Sequence, residues 1–132
     1  MAALGADPKV LVADDDPLLR AILQHKLTSS GYQVLTAGDG REALIQAQAH
    51  RPAAIVLDAM MPIIDGFETL RRLKSVAELR GIVVVMLTAL KREQDIVSAL
   101  KLGAADYLVK PFNPDELVAR LMRLVPVRAL NG

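Results

Sequence analysis

The sequence predicts an α/β domain in which five short parallel strands alternate with five helices, a (βα)5 doubly wound sheet. Three observations carry this prediction. Five apolar runs recur along the chain, Val10–Ala13, Val34–Ala37, Ala54–Leu57, Ile82–Leu87 and Tyr107–Val109, and three of them are almost unbroken Val, Ile and Leu. Such runs suit strands buried on both faces, not the alternating pattern of a half-wet sheet. Apolar residues at helical spacing fill the intervals, and strands joined through a single helix run parallel with right-handed crossovers. An open sheet of this kind holds ligands at the carboxyl ends of its strands, near the point where strand order reverses.

Each helix has its own signals. Asp16-Pro17 places a capping carboxylate before a proline at the first helical position, and Leu18, Leu19, Ile22, Leu23 and Leu27 give the predicted apolar stripe. Gly31 stands where that helix would end in a left-handed residue. Asp39, with Glu42 three residues on, reads as a capping-box variant opening a second helix lined by Ala43, Leu44 and Ala47. Phe67, Leu70 and Leu73 line a third. Val97 and Leu100 mark a shorter fourth that stops at Gly103. Asn113-Pro114 opens the fifth, lined by Leu117, Leu121 and Leu124.

Composition sets the bounds. With 132 residues the chain suits one domain around one core, and 52% hydrophobic residues is too many for a disordered segment. The absence of cysteine excludes disulfides, thiolate metal sites and cysteine nucleophiles. A net charge of +1 gives no sign of a general nucleic-acid binder, so direct nucleic-acid binding by this domain is not expected. Met1–Lys9 lacks the basic and apolar regions of a secretory signal, and Ile82–Leu90, the longest charge-free apolar stretch, is too short to cross a bilayer. The expectation is a cytoplasmic protein with no membrane insertion.

The chemistry collects at the strand ends. Asp14-Asp15-Asp16 follows the first strand, Asp58 ends the third, Thr88 the fourth and Lys110-Pro111 the fifth. Two like charges about 5 Å apart cost roughly 3 kcal/mol at an effective dielectric of 20. A cluster of carboxylates therefore stays ionised only beside cations. Lys110 supplies one. Hard oxygen donors without nearby His or Cys favour a single Mg²⁺ as the other, which suits phosphate chemistry. Asp16 reads as a helix cap and not as a further ligand.

Four segments also carry a resemblance: Val10–Pro17 (VLVADDDP), Val56–Gly66 (VLDAMMPIIDG), Met86–Ala89 (MLTA) and Asp106–Phe112 (DYLVKPF). Together they closely resemble the receiver domain of two-component response regulators, over about Lys9 to Val125. That leaves residues 1–8 as an N-terminal extension and 126–132 as a tail or linker stub. The resemblance implies a flavodoxin-like three-layer sandwich with strand order 2-1-3-4-5. It implies that Asp58 is the phospho-acceptor, a carboxylate nucleophile. Asp15 would be the direct Mg²⁺ ligand, Asp14 would reach the ion mainly through water, and Met60 would offer its backbone carbonyl. Lys110 would pair with Asp58 and then with a phosphoryl oxygen, Thr88 would donate its hydroxyl to that group, and Tyr107 would turn inward as an aromatic switch. The Lys110-Pro111 bond is expected to be cis.

The same resemblance implies a signalling phosphoprotein, not an enzyme, which catalyses its own phosphorylation and slow dephosphorylation. The phosphodonor would be a histidine on a sensor kinase or phosphotransfer protein, because His25 and His50 fall on predicted helices away from the carboxylate edge. Phosphorylation would change the face formed by the fourth helix, fifth strand and fifth helix, controlling a downstream protein or an output domain. Asp106 and Arg120 on that face suggest a phosphorylation-dependent homodimer. Met60 and Leu90, both apolar and flanking the acceptor and Thr88, imply a long-lived phosphoryl group. Arg71, Arg72 and Lys74 read as a solvated basic face. An aspartate-nucleophile phosphohydrolase would need a second acid two residues after Asp58, where Met60 stands. An unphosphorylated binding module would have lost an acceptor, lysine or acidic pair, all of which are present. A flavin site would need a Ser/Thr/Gly-rich phosphate loop, which is absent from the sequence.

Overall fold

The structure, a computed structural model, describes residues 7–127. Five strands, β1 (Lys9–Ala13), β2 (Gln33–Ala37), β3 (Ala54–Asp58), β4 (Val83–Thr88) and β5 (Asp106–Val109), form one parallel sheet in the order β2-β1-β3-β4-β5. Five helices connect and follow them: α1 (Pro17–Ser29), α2 (Gly40–His50), α3 (Gly66–Ser75), α4 (Glu93–Leu102) and α5 (Pro114–Leu124). This is the predicted doubly wound, flavodoxin-like sandwich.

Strand residues alternate between two cores. Leu11, Ala13, Ile55, Leu57, Val84, Met86 and Tyr107 face α2, α3 and α4. Val10, Val12, Ala54, Val56, Val85, Leu87 and Leu108 face α1 and α5. Every residue of β3 is buried, which is why its sequence shows no alternation.

The helix boundaries follow their capping chemistry. The Asp16 carboxylate accepts from the Leu18 and Leu19 amides, Asn113 caps α5 through the Asp115 amide, and Gly103 takes a positive φ of 114° at the end of α4. Asp39 caps α2 through the Glu42 amide as expected, but the Glu42 carboxylate returns to the Gly38 amide instead of that of Asp39.

Some buried faces differ from those predicted. On α1 the core takes Leu23 and Leu27, whereas Leu18 and Ile22 are 69% and 44% exposed. On α4 the core takes Ala99, with Ile96 and Leu102 packed beside it, and Val97 and Leu100 face outward. Leu124 is likewise exposed. In all three cases the run holds more apolar side chains than one face can bury, so spacing alone does not select among them. Lys74 is not a solvated cation either. Its ammonium donates to the Arg80 and Ile82 carbonyls at 2.9 Å each, its stem lies against Gly103, and burial pulls its pKa down. Arg71 and Arg72 do lie on the surface, both paired with Glu68.

At the far pole of the sheet the Tyr32 hydroxyl donates to the Val125 carbonyl at 2.7 Å. Val127 packs over Gly31 there, so the start of the expected tail lies against the domain. Among the described residues, no helix is long and apolar enough to cross a membrane.

Candidate functional site

The pairing register decides which side chains meet. Ala13 pairs with Leu57, Asp58 with Leu87 and Thr88 with Val109. Asp14, Asp58, Thr88 and Lys110 therefore each stand at the end of a strand or one residue past it. β1 and β3 are neighbours where the strand order turns back, so two of these ends flank the switch point.

Asp14 is fully buried and held on both carboxylate oxygens. Oδ1 accepts from the Asp16 amide at 2.9 Å and Oδ2 from Lys110 Nζ at 2.8 Å. Asp58 is 4% exposed, its Oδ1 accepting from the Met60 amide at 3.1 Å and its Oδ2 lying 3.3 Å from Lys110 Nζ. Lys110 thus bridges the two carboxylates. Asp15 is exposed, and among the described residues nothing pairs with its carboxylate. One oxygen from each of Asp14, Asp15 and Asp58 lies within 4.8 Å of the others.

The loop after Asp58 folds back tightly. The Ala59 amide donates to the Leu87 carbonyl and the Gly66 amide to the Ala59 carbonyl. A side chain at Gly66 would overlap the Asp58 carbonyl and sit 2.6 Å from the Ala59 Cα, so only glycine permits this approach. The Met60 side chain is 57% exposed, and its amide donates to the Asp58 carboxylate.

Thr88 and Tyr107 both bond to the backbone of Leu90. The buried Thr88 hydroxyl oxygen accepts from the Leu90 amide at 3.1 Å, and the Tyr107 hydroxyl donates to the Leu90 carbonyl at 3.0 Å. The Tyr107 ring, 9% exposed, is already inward. The Lys110-Pro111 bond is cis, as expected. Arg120 pairs with Asp106 at 2.8 Å, and with Glu116, inside the one chain. Asp106 and Arg120, which suggested a homodimer in the sequence, thus pair with each other within one chain.

The electrostatics follow from burial. Loss of solvent pushes the Asp58 carboxyl up to about 6; Asp14 adds to this, while the Met60 amide and Lys110 pull the other way. Burial opposes the Lys110 charge, but its hydrogen bond to Asp14 and the fields of Asp58 and Asp14 outweigh that, and its pKa is raised. Three carboxylates against one ammonium leave a net deficit of positive charge. All three offer hard oxygens, without His or Cys in the cluster. That donor set fits Mg²⁺ and not a softer metal.

The structure thus brings together Asp14, Asp15, Asp58 and Lys110, with Thr88 buried at the same edge and Tyr107 one hydrogen bond beyond it. Asp16 is a cap. Sequence reasoning missed Arg20, whose Nη1 donates to the Asp14 carbonyl at 2.8 Å. The available signal was its place in the first turns of α1, where side chains lean back toward the helix start. It also missed the Leu90 backbone, which no side-chain pattern reveals.

The fold and site define a class: a flavodoxin-like parallel α/β domain with an acidic, cation-seeking edge at its switch point. The family model of the response regulator receiver domain matches residues 10–122. The chain therefore belongs to the receiver domain family of two-component response regulators, in which aspartate phosphorylation and Mg²⁺ binding are expected. It is 45% identical over 117 residues to a probable transcriptional regulator, ycf27, of Cyanophora paradoxa, covering 89% of this chain and 48% of that protein. To the alkaline phosphatase synthesis transcriptional regulatory protein PhoP of Bacillus subtilis it is 44% identical, with the same coverage. The chain spans about half the length of these curated relatives. Among solved structures, the chemotaxis protein CheY4 of Vibrio cholerae superposes with a TM-score of 0.85 at 38% identity, covering 91% of this chain and 100% of that one. The receiver domain of the sensor histidine kinase PA1611 of Pseudomonas aeruginosa, with magnesium coordinated in its active-site cleft, gives 0.82 at 32% identity, covering 90% and 98%.

Proposed function

We propose that this domain, residues 9–125, takes a phosphoryl group from a phosphohistidine of a partner protein onto Asp58. The observation that carries this reading is the Asp58 carboxylate, nearly buried, bridged to Asp14 by Lys110 and lying within reach of the exposed Asp15. An oxygen of ionised Asp58 attacks phosphorus, the P–N bond to the donor imidazole breaks, and that nitrogen keeps the electron pair and takes a proton from solvent. The product is an acyl phosphate on Asp58.

Asp15, Asp58 and the Met60 carbonyl would hold the Mg²⁺, with Asp14 behind them, and the ion supplies positive charge against the phosphoryl oxygens. Lys110, tethered by Asp14, would stay in place to pair with a phosphoryl oxygen once Asp58 is phosphorylated. The Thr88 hydroxyl oxygen accepts from the Leu90 amide, and the hydroxyl would give its proton to a phosphoryl oxygen. Modification adds roughly −1.5 to −2 charges at this spot. A Thr88 drawn toward that charge loosens its bond to the Leu90 amide, and the Leu90 carbonyl holds Tyr107. The Leu90 backbone, through its amide on one side and its carbonyl on the other, would thus link the site to the face of α4, β5 and α5, whose partner or output domain reads the change as a population shift. Met60 and Leu90 offer no side-chain hydrogen bond to an attacking water, which favours slow hydrolysis.

The test is intact mass after incubation with acetyl phosphate and Mg²⁺, with chelator, and on Asp58→Asn. One phosphoryl adduct, lost with chelator and in the variant, supports the reading. A folded parent that takes no adduct, and that shows no response to a beryllofluoride mimic, refutes it.

A further inference from the structure

We propose that Arg20 is a positioning residue for the ion-binding carboxylates, acting through the Asp14–Asp15 peptide. The inference rests on the acidic edge being a Mg²⁺ site, and adds a residue that works behind it.

Asp14 is held at four points. Its amide donates to the Ala37 carbonyl at 3.1 Å, and its two carboxylate oxygens take the Asp16 amide and Lys110. The fourth point is its carbonyl, just past the end of β1 and outside the ladder. Arg20 Nη1 reaches back one turn from α1 to donate to it at 2.8 Å, the one partner this carbonyl has among the described residues. That carbonyl belongs to the peptide leading into Asp15. The Asp15 side chain makes no bond among the described residues, so the position of its carboxylate depends on the rotation of this peptide. Without Arg20 the carbonyl is free to turn to water, and Asp15 turns with it.

The guanidinium occupies a prepared space. A Cβ at Gly38, at the β2–α2 turn, would lie 3.1 Å from Arg20 Nη1 and 3.9 Å from Glu42 Oε1. The Glu42 carboxylate accepts from the Gly38 amide at 2.8 Å and so stands beside the arginine head. The missing side chain at Gly38 leaves room for a planar, always-charged group that a lysine would not reproduce. Arg20 thereby ties the end of β1 to the turn after β2.

Charge and position predict opposite signs. A cation near a Mg²⁺ site opposes the ion, so removing it should tighten binding if charge dominates. Removing a group that orients a ligand weakens binding, commonly by 10–100-fold when such outer partners are lost.

The experiment is a Mg²⁺ titration followed by backbone amide shifts in ¹⁵N NMR. It compares the parent, Arg20→Met, Arg20→Lys, Gly38→Ala and the Arg20→Met/Gly38→Ala double variant, each with urea stability measured in chelator. Tyr32→Phe at the opposite pole serves as a control that lowers stability without touching the site. Arg20→Met is expected to weaken Mg²⁺ binding about tenfold, or 1.4 kcal/mol, with Arg20→Lys in between and Tyr32→Phe unchanged. Gly38→Ala, whose Cβ would press on Arg20 Nη1 from 3.1 Å, should weaken binding about threefold in the parent and not at all in the Arg20→Met background. Equal or tighter binding by Arg20→Met overturns the proposal. Should Arg20→Met fail to fold, Gly38→Ala decides, and unchanged affinity there overturns it. A parent that shows no shifts up to tens of millimolar Mg²⁺ overturns the ion-site reading itself, and the role of Arg20 with it.

Discussion

Replacing Asp58 by Asn should stabilise the metal-free domain at neutral pH. The native carboxyl is pushed up to about 6 from an ordinary 3.8, chiefly by burial, despite Lys110 at 3.3 Å. Two pKa units correspond to about 3 kcal/mol. The sign follows from proton counting. Between pH 3.8 and 6 the native state holds more protons than the unfolded chain, so stability falls as pH rises through that window, and the full cost persists above it. Asn copies the protonated acid in shape and carries no charge to desolvate. Lys110 is not orphaned, because it keeps Asp14 at 2.8 Å. With a urea slope of ~1–3 kcal/mol per M, the midpoint in chelator at pH 7.5 should rise by about 1–3 M over the parent. The gap should close as pH is lowered toward 4. Saturating Mg²⁺ should narrow it from the other side, by about 2.7 kcal/mol at a hundredfold excess over the dissociation constant. An Asn variant no more stable than the parent in chelator, or a gap independent of pH, would refute the claim that Asp58 is a desolvated carboxylate waiting for a cation.

Three further outcomes are expected. Gly66→Ala forces a Cβ onto the Asp58 carbonyl, whereas nothing lies within 4 Å of a Cβ at Gly81. The first should cost about 3 kcal/mol and lower the melting temperature by roughly 10 °C, and Gly81→Ala should be near neutral, both read by calorimetry. Met60→Glu with Leu90→Asn places hydrogen-bonding groups beside the acceptor; loss of the phosphoryl group, followed by mass, should speed up about tenfold or more, and an unchanged rate removes the role given to the two apolar side chains. Tyr32→Phe deletes one hydroxyl bond to the Val125 carbonyl and should cost about 1 kcal/mol in urea unfolding without changing phosphorylation.

Much of this molecule was legible because its signals are local. The unbroken apolar run Ala54–Leu57 marks a strand covered on both faces, and Asp16-Pro17 and Asn113-Pro114 mark helix starts by the chemistry of a single turn. The carboxylates, Thr88 and Lys110 were recognisable because each ends or follows a strand, and parallel strands of similar length end on the same edge. What stayed hidden involved choices among equivalent residues or contacts between distant ones. Leu18, Ile22, Val97 and Leu100 are as apolar as their buried neighbours, and only the packing angle of each helix selects which of them faces the sheet. Lys74 has the composition of a surface cation, yet the fold surrounds its head with the Arg80 and Ile82 carbonyls.

By itself the sequence determined the strand and helix content, the parallel sheet and the set of groups at its carboxyl edge, since periodicity, capping and chain connectivity act over a few residues at a time. Only the tertiary structure decided how those groups are bonded to one another. Lys110 serves Asp14 more closely than Asp58, Thr88 and Tyr107 both bond to the Leu90 backbone, and Arg20 fastens the carbonyl that leads into Asp15. These are matters of distance and direction between segments far apart in the chain, set by register and helix packing, and hydrogen bonds depend on both within a few tenths of an ångström.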